Sequence, residues 1–374
     1  MQPARPSFAS RLRGVAALML VNFVGLLLVL LVAEGVSRLA GLLPRGGNRG
    51  DRLLWRYEAL RGWGLIPGAH GEDNRGGPDR GTVRINAQGF RGADFARTKG
   101  RDTRRIIVLG DSFGFGVGVN EEHTMAVRLA DLINRDPELT GGAHVDVLNL
   151  SVSGYSTDQE ILTFESDGAP LDPSVVILLI CDNDFEGNLE GFPYGRYYKP
   201  RFVLDGEAVR LVDTPAPRGE RRRPIRTWLF DHSAIQGALL KVANRPRLRA
   251  FESVLSPGEA TRSPDPPAVL MLALLQKLNR EVSHAGATLV TFNTGHRGEK
   301  TPLFQALRPA LARSGIAHSG LEAQLVDARA RRPDLKWDFG DDTHWNVAAN
   351  DVASRVIHLH LRQLAREGKL SLSR

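Results

Sequence analysis

From Arg104 onward, short runs of apolar residues alternate with longer amphipathic segments. The short runs have the length of buried strands, and they are Ile106–Leu109, Val145–Leu150, Val175–Ile180 and Thr288–Phe292. The longer segments repeat apolar residues every three or four positions, as helices do, and they are Thr124–Asn134, Pro267–Ala285 and Val347–Arg366. The alternation predicts an α/β fold, a three-layer α/β/α sandwich in which helices cover both faces of a mainly parallel sheet.

The composition excludes several kinds of site. Cys181 is the only cysteine among the 374 residues, so the chain has no intrachain disulfide and no cysteine-rich metal site. The formal net charge is +7, but the arginines are scattered through linkers and the segment 218–226. We therefore expect no specific binding of nucleic acid.

One segment, Gly14–Ala33, differs from the sequence of a soluble domain, because it has 20 residues and none of them is charged. At the rise of a helix, this length crosses the roughly 30 Å hydrocarbon core of a bilayer. A cleaved signal peptide is the alternative, but it needs a shorter apolar run and a small-x-small cleavage site, and residues 33–41 contain no good one. We therefore predict a tail at 1–13 and a retained transmembrane anchor with its extension at 14–43. Arginines on both sides leave the orientation of the span open.

The rest of the sequence divides into a linker and one large domain. Residues 44–81 are rich in glycine and arginine and show little periodicity, so we predict a stalk there and a domain at 82–374. The alternation breaks at about 190–266, which we interpret as an insertion with a hairpin at Arg201–Val212, a basic loop and one helix. Because the insertion follows the carboxyl end of a strand, it is either a lid over a ligand site or a surface elaboration.

The strand Ile106–Leu109 runs directly into a tight glycine turn, Gly110-Asp111-Ser112-Phe113-Gly114. Such a turn exposes the serine hydroxyl at the carboxyl edge of the sheet, where open α/β sheets bind ligands. The helix near Thr124–Asn134 lies close enough to contribute to the electrostatic field there. A serine in an ordinary βα turn is the alternative interpretation.

A serine hydroxyl becomes a strong nucleophile when a base takes its proton, and a carboxylate usually orients that base. The sequence Asp341-Asp342-Thr343-His344 places Asp341 three residues before His344, ahead of the last predicted helix. This spacing predicts one oriented imidazole. The alternative is a polar loop in which Asn346 caps the helix.

Two further strand ends carry groups that stabilise an oxyanion, the charged oxygen formed when a hydroxyl attacks a carbonyl. Gly154 follows the strand that ends at Leu150, and without a side chain its backbone can approach a ligand closely. Asn183 follows the strand that ends at Ile180 and offers a side-chain amide. Each is a common loop residue by itself, but their placement after successive strands favours a shared site.

These residues occur in the order of the four sequence blocks that name the SGNH hydrolases, and the chain resembles that family over about residues 86–368. The stretch Asn86–Gly92 also resembles the segment that precedes the serine block in membrane-anchored bacterial members. The resemblance implies a flavodoxin-like sheet, and it implies no cofactor and no metal. The residues that match the family blocks are Ser112, Gly154, Asn183 and His344.

The resemblance also implies a role for each of these residues. Ser112 is the nucleophile and His344 the base, and the Ser112 N–H, Gly154 and Asn183 form the oxyanion hole. The aspartate that orients the histidine is Asp341, with the adjacent Asp342 as the alternative acid.

Two residues depart from the family pattern. Phe113 stands where the serine motif has leucine, which is a common variation. Cys181 stands where the third block usually has glycine, so the backbone that presents Asn183 can differ. No histidine neighbours Cys181 in sequence, and we interpret it as a small buried residue rather than a second nucleophile.

Other patterns suggest different sites. Gly110-x-Ser112-x-Gly114 also fits the nucleophile elbow of α/β-hydrolases, but Ser112 follows the first parallel strand, and its acid and base are three residues apart. The glycines at 114, 116 and 118 lack the spacing and the lysine of a nucleotide loop. His358 and His360 are two apart on a predicted helix and point to different faces, so we expect no shared metal.

The resemblance implies a serine esterase or O-acyltransferase that works through an acyl-serine intermediate. By analogy with the anchored relatives, its substrate is an ester-linked acyl group of a carbohydrate, often acetyl, and the chain is a single-pass inner-membrane protein with a periplasmic catalytic domain. The alternatives are a non-catalytic polysaccharide-binding or assembly protein with the same fold, and a membrane-associated lipid esterase.

Overall fold

The computed structural model describes residues 8–39, 54–73, 81–193, 197–206, 208–218, 266–294, 302–339 and 343–373. The chain divides into two compact units, residues 1–47 with 223–256 and residues 48–222 with 257–374. In the first unit, the described residues form helix α1, Phe8–Leu39. The parallel sheet belongs to the second unit.

Helix α1 contains an apolar stretch, Ala17–Val36, with a mean hydropathy of 2.5 and no buried part. Its length and composition suffice to cross a hydrocarbon core, and signal sequences share them. Residues 40–43 of the predicted anchor extension lie outside the described residues.

The described strands of the second unit are β1 Trp55–Glu58, β2 Gly62–Leu65, β3 His70–Asp73, β4 Gly81–Arg84, β5 Thr103–Leu109, β6 His144–Asn149, β7 Val175–Ile180, β8 Arg201–Asp205, β9 Ala208–Val212, β10 Thr288–Asn293 and β11 Ala317–Gly320. Its described helices are α2 Ser112–Phe115, α3 Met125–Asn134, α4 Pro137–Thr140, α5 Thr157–Thr163, α6 Asp182–Gly187, α7 Pro267–His284, α8 Pro302–Arg313, α9 Glu322–Arg331 and α10 Val347–Arg366. Shorter turns are the 3₁₀ segments Glu121–His123 and Ala169–Leu171 and a π-helical turn at Phe164–Gly168.

The large sheet contains strands in the order β6-β5-β7-β10-β11, and all neighbours run parallel. In chain order this arrangement is 2-1-3-4-5, the flavodoxin-like order, in which a ligand crevice forms at the carboxyl edge between the first and third strands. The predicted α/β/α sandwich with a mainly parallel, flavodoxin-like sheet is confirmed. The architecture is consistent with the SGNH hydrolase fold.

Side chains on the two faces of the sheet enter two separate apolar clusters, because successive residues of a strand point to opposite faces. Ile107 and Val176 pack in one cluster with α5, α7 and α8. Ile106 and Ile177 pack in the other with α3, α9 and α10. All six residues of β7 are buried, as expected for a central strand with both faces covered.

Residues 54–73 are not a stalk. Strand β1 pairs with β2 and β3 with β4, each antiparallel, and Trp55 and Trp63 stack in a buried cluster with ring centroids 5.1 Å apart. The predicted linker at 44–81 is therefore wrong for these residues, because strands of four residues are too short to show a period in the sequence. The rest of that range, apart from Gly81 of β4, lies outside the described residues.

The predicted hairpin of the insertion is present as β8 and β9, with Asp205 opposite Ala208. Phe202 is buried in the core, and the N–H of Ala216 donates to the carbonyl of Ala59 at 2.8 Å. This part of the insertion is therefore packed against the domain. The predicted basic loop and helix fall in residues 219–265, outside the described residues. That these residues form a lid over the site stays a prediction.

Candidate active site

Ser112 begins the one-turn helix α2 directly after strand β5. Asp111 caps this helix, because its Oδ1 atom accepts a hydrogen bond from the N–H of Phe113 at 2.9 Å. Gly116, with a φ of 79°, ends the helix in the left-handed conformation that glycine adopts without strain. The serine hydroxyl is thus held at the carboxyl end of β5.

His344 reaches Ser112 from the other end of the domain sequence. Its Nε2 atom lies 2.7 Å from Ser112 Oγ, a hydrogen-bond distance. The imidazole stacks on the ring of Phe113 with centroids 5.0 Å apart, and Trp345 packs edge-on against the same ring. In the tautomer with Nε2 unprotonated, this nitrogen accepts the serine proton, as a general base must.

Asn346 caps helix α10, as the alternative interpretation of this loop predicts. Its Oδ1 atom accepts hydrogen bonds from the N–H groups of Ala348 and Ala349 at 3.0 and 3.2 Å. The two interpretations of this loop are therefore compatible, since the Asn346 cap and the contact of His344 with Ser112 are both present. The predicted acid Asp341 and the alternative Asp342 lie outside the described residues, so their role stays a prediction.

Asn183 lies in the first turn of helix α6, which begins just after strand β7. Its Nδ2 atom lies 3.4 Å from Asp111 Oδ2, and the hydroxyl of Ser112 lies 3.3 Å from the same oxygen. One carboxyl oxygen therefore contacts both the hydroxyl and the amide. Cys181 is compatible with this geometry, since its N–H donates to Asp184 Oδ2 at 2.8 Å and closes the first turn of α6.

Gly154 lies in the loop after strand β6 and is buried, with a φ of 82° that residues with side chains rarely adopt. The loop packs on the serine turn. The N–H of Val152 donates to the carbonyl of Gly110 at 3.1 Å, and Ser151 fills the space beside Gly114 that a side chain would need. The structure thus brings the loops of the four predicted blocks to one edge of the sheet.

Several buried carboxyl groups lie beneath this site. Burial raises the pKa of Asp111, while the N–H of Phe113 and the nearby His344 lower it in part. Burial and the neighbouring Asp184 raise the pKa of Glu160 well above its usual range, and burial and Asp111 do the same for the pKa of Asp184. Burial therefore shifts all three carboxyls toward the protonated form.

Cys181 is buried, and its pKa is raised well above the usual range, first by burial and then by Asp111 and Asp184. The thiol therefore stays protonated. Its predicted burial is confirmed, and a neutral buried thiol is a poor nucleophile.

His358 and His360 have separate surroundings. The Nε2 atom of His358 lies 3.0 Å from Asp136 Oδ2, whereas His360 packs edge-on against Phe292 with ring centroids 5.4 Å apart. In the described ranges, no group of three or more His, Cys, Asp or Glu side chains is arranged to hold a metal ion.

Asp111 and Arg91 contact the serine turn, although the motifs in the sequence do not single them out. The residue type of Asp111 is a signal that points to its role, because aspartate is a preferred N-cap where a strand leads into a helix. Arg91 belongs to the stretch Asn86–Gly92, but the carbonyls of Phe115 and Gly116 that it binds follow the serine in the chain. The folded arrangement is needed to see that contact.

No family model matches the sequence, and no curated protein matches it. Similar solved structures include a GDSL-like lipase from Parabacteroides merdae, with a TM-score of 0.40 and 12% identity over 70% of this chain and 96% of that chain. The psychrotrophic esterase EstA from Pseudoalteromonas sp. has a TM-score of 0.40 and 13% identity over 70% of this chain and 99% of that chain. An acetylxylan esterase from Geobacillus stearothermophilus has a TM-score of 0.38 and 11% identity over 69% of this chain and 94% of that chain.

Proposed function

We propose that the protein is a serine esterase or O-acyltransferase that works through an acyl-serine intermediate. The observation that carries this proposal is the 2.7 Å contact between Ser112 Oγ and His344 Nε2. It lies at the sheet edge where α/β folds bind ligands. A hydroxyl in hydrogen-bond contact with an imidazole is the nucleophile and base pair of acyl transfer.

In the proposed first step, His344 Nε2 takes the hydroxyl proton while Ser112 Oγ forms a bond to the carbonyl carbon of the ester. The carbonyl oxygen becomes an oxyanion, and it accepts hydrogen bonds from the N–H groups of Ser112 and Gly154 and from the Asn183 amide. The tetrahedral intermediate then collapses, the bond to the leaving alcohol breaks, and His344 returns its proton to that alcohol oxygen. Asp341 orients the imidazole in this proposal.

The acyl-serine is resolved by a second hydroxyl nucleophile. Water gives hydrolysis, and the hydroxyl of a sugar gives acyl transfer. In both cases His344 takes the proton of the attacking hydroxyl and returns it to Ser112 Oγ when the acyl bond breaks. The two outcomes are separated by measuring free acid against acylated glycan after a donor ester is added.

The proposed substrate is an ester-linked acyl group of a carbohydrate, with acetyl as the first choice, and the proposed location of the domain is the periplasmic side of an inner membrane. The resemblance of Asn86–Gly92 to membrane-anchored bacterial members and the apolar helix α1 support these choices. Reporter fusions at the C-terminus, read out by an enzyme that works on only one side of the membrane, test the orientation.

The activity is tested with the full chain purified in mild detergent and supplied with p-nitrophenyl acetate. The wild type should turn over, and Ser112→Ala should not. Ser371→Ala is the matched control, because Ser371 is exposed near the C-terminus and pairs with Ser373. Equal rates for the wild type and Ser112→Ala would refute the proposal.

A fluorophosphonate probe separates the enzyme from a non-catalytic binding protein with the same fold. The probe should label the wild type at Ser112, whereas a binding protein leaves this serine unmodified. Release of fatty acid from phospholipid vesicles would favour a lipid esterase instead of an enzyme that acts on carbohydrate.

A further inference from the structure

Arg91 is buried, with 3% of its surface exposed, and its guanidinium faces backbone carbonyls of two segments. It donates to the carbonyl of Phe115 at 3.0 Å and to the carbonyls of Gly116 and Val119. It also donates to the carbonyl of Thr82 at 3.1 Å and lies 5.1 Å from the centre of the Phe115 ring. One side chain therefore joins strand β4 to the turn that follows the serine.

The loop that carries Arg91 is itself held in place by Asn86, which is 5% exposed. The Oδ1 atom of Asn86 accepts hydrogen bonds from the N–H groups of Gln88 and Phe90 at 3.0 and 2.9 Å, and its Nδ2 atom donates to the carbonyl of Ala93 at 3.0 Å. These hydrogen bonds within the loop help to fix the position of Arg91.

The carbonyls of Phe115, Gly116 and Val119 that Arg91 binds lie in the turn that follows Ser112, and Gly116 also contacts the backbone of Ser112 directly. The N–H groups of Gly116 and Val117 both donate to the carbonyl of Ser112 at 3.1 Å. Helix α2 is a single turn, too short to be stable alone, and Gly116 and Gly118 in the following loop both have positive φ. A cation at the carboxyl end of a helix stabilises its terminal carbonyls.

We propose that Arg91 is a positioning residue for Ser112: by clamping the carbonyls of residues 115, 116 and 119, it holds the serine hydroxyl in line with His344. This inference rests on the proposed function, and it adds a requirement that the four family blocks do not contain. Arg91 itself does not touch the reacting atoms. Lysine keeps the charge but lacks the planar fork of donors, so Arg91→Lys is a mild and specific perturbation.

Arg105 is a matched control, because it also donates to three backbone carbonyls, at the opposite end of strand β5. It is 1% exposed and donates to the carbonyls of Ala96, Arg97 and Leu171 at 2.9, 3.0 and 3.0 Å. Its Nη2 atom lies in addition 3.3 Å from Asp146 Oδ2. Arg105→Lys should therefore disturb a buried guanidinium clamp to a similar degree without reaching the serine turn.

The test compares kcat, KM and thermal stability of the wild type, Arg91→Lys and Arg105→Lys in the full chain in detergent, with p-nitrophenyl acetate. Arg91→Lys should lower kcat per folded molecule by about tenfold to a hundredfold, since small misplacements of a nucleophile have effects of this size. Its KM should stay within about twofold of the wild-type value, because Arg91 does not touch the substrate and the interactions that bind the substrate are unchanged. Arg105→Lys should lower the melting temperature and keep the wild-type kcat.

A wild-type kcat in Arg91→Lys would overturn the proposal, and so would an equal loss of kcat in Arg105→Lys. If Arg91→Lys fails to fold while Arg105→Lys folds, Arg91 serves the stability of the fold, and the proposal is likewise overturned. If the wild-type protein shows no turnover that depends on Ser112, the proposed function is refuted instead. The two failures are therefore distinct.

Discussion

The Nε2 atom of His344 lies 2.7 Å from the Oγ atom of Ser112, although 232 positions separate the two residues in the chain. Each of them lies at or near the start of a helix, since Ser112 begins α2 and His344 precedes the first residue of α10 by three positions. In a parallel α/β sheet the carboxyl ends of the strands and the following helix starts share one edge. Ser112 reaches this edge at the end of β5, whereas α10 follows helix α9 rather than a strand, so the sheet topology accounts for the position of Ser112 but not for that of His344.

Replacing His344 with alanine should lower kcat for p-nitrophenyl acetate by at least about 10³-fold, because the hydroxyl loses its base. The double variant Ser112→Ala/His344→Ala should lose little more than either single variant, since the two groups act as a unit. His144→Ala is the control, because His144 is 65% exposed at the start of strand β6. Losses that multiply in the double variant would contradict a joint role.

Asp111→Asn should lower kcat by about tenfold or more, because the Asp111 carboxyl contacts both Ser112 Oγ and Asn183 Nδ2. The new amide can place an NH₂ group against the Asn183 amide, and the two donors repel. The effect should be much smaller when Asn183 is already alanine, and kcat values of the four proteins in this double-mutant cycle measure the coupling. Equal effects in both backgrounds would show that Asp111 does not act through Asn183.

The elements that the sequence predicts well are those whose local pattern and tertiary burial agree. Val175–Ile180 is six apolar residues in a row, and the structure places strand β7 at these positions with every residue buried. The amphipathic spacing and the Asn346 cap likewise define helix α10 from Val347 to Arg366. In both elements the side chains that set the pattern are the ones that the sheet or the helices cover.

The elements that the sequence misses owe their structure to distant contacts. Strands β1 to β4 and the edge strand β11 have four residues each, which is too short for a period to be seen. Trp63 is buried because it stacks on Trp55 and because its carbonyl accepts a hydrogen bond from Tyr155 Oη at 2.5 Å, 92 positions away. The clamp of Arg91 on Phe115 and Gly116 depends on the same folded arrangement.

Removing one partner of the buried ion pair of Lys199 with Asp158 should strongly destabilise the fold. Their side chains are 0% and 1% exposed, and burial lowers the pKa of Lys199 and raises that of Asp158 while each partner opposes the shift. Lys199→Met should reduce the free energy of unfolding by about 3–5 kcal/mol, because it leaves Asp158 buried without its cation. Urea denaturation of the full chain measures the change.

The double variant Lys199→Met/Asp158→Asn should recover part of that loss, since no uncompensated charge remains in the interior. Arg332→Met removes the surface ion pair with Asp334 and should leave the urea midpoint unchanged. A midpoint that also stays unchanged in Lys199→Met would contradict the expected cost of an unpaired buried carboxylate.

His318 should make the stability of the domain depend on pH below about 6.5. Burial, followed by the charges of Arg308 and His360, lowers the pKa of His318 from 6.5 to about 4. Because the unfolded chain binds the proton more readily, this neutral histidine contributes its full stability above pH 6.5. The contribution is lost as the pH falls toward 4, by up to roughly 3 kcal/mol.

His318→Asn isolates this effect, because asparagine can keep a hydrogen bond with Thr291 Oγ1, which lies 2.9 Å from His318 Nδ1, and does not titrate. The free energy of unfolding should be measured for both proteins from pH 4 to 8. Above pH 7 the two curves should differ by a constant, since the other titrating groups are common to both proteins and cancel in the difference. Between pH 6.5 and 4 the wild type should lose stability more steeply than the variant. Parallel curves over the whole range would mean that His318 binds its proton equally well in the folded and unfolded chains.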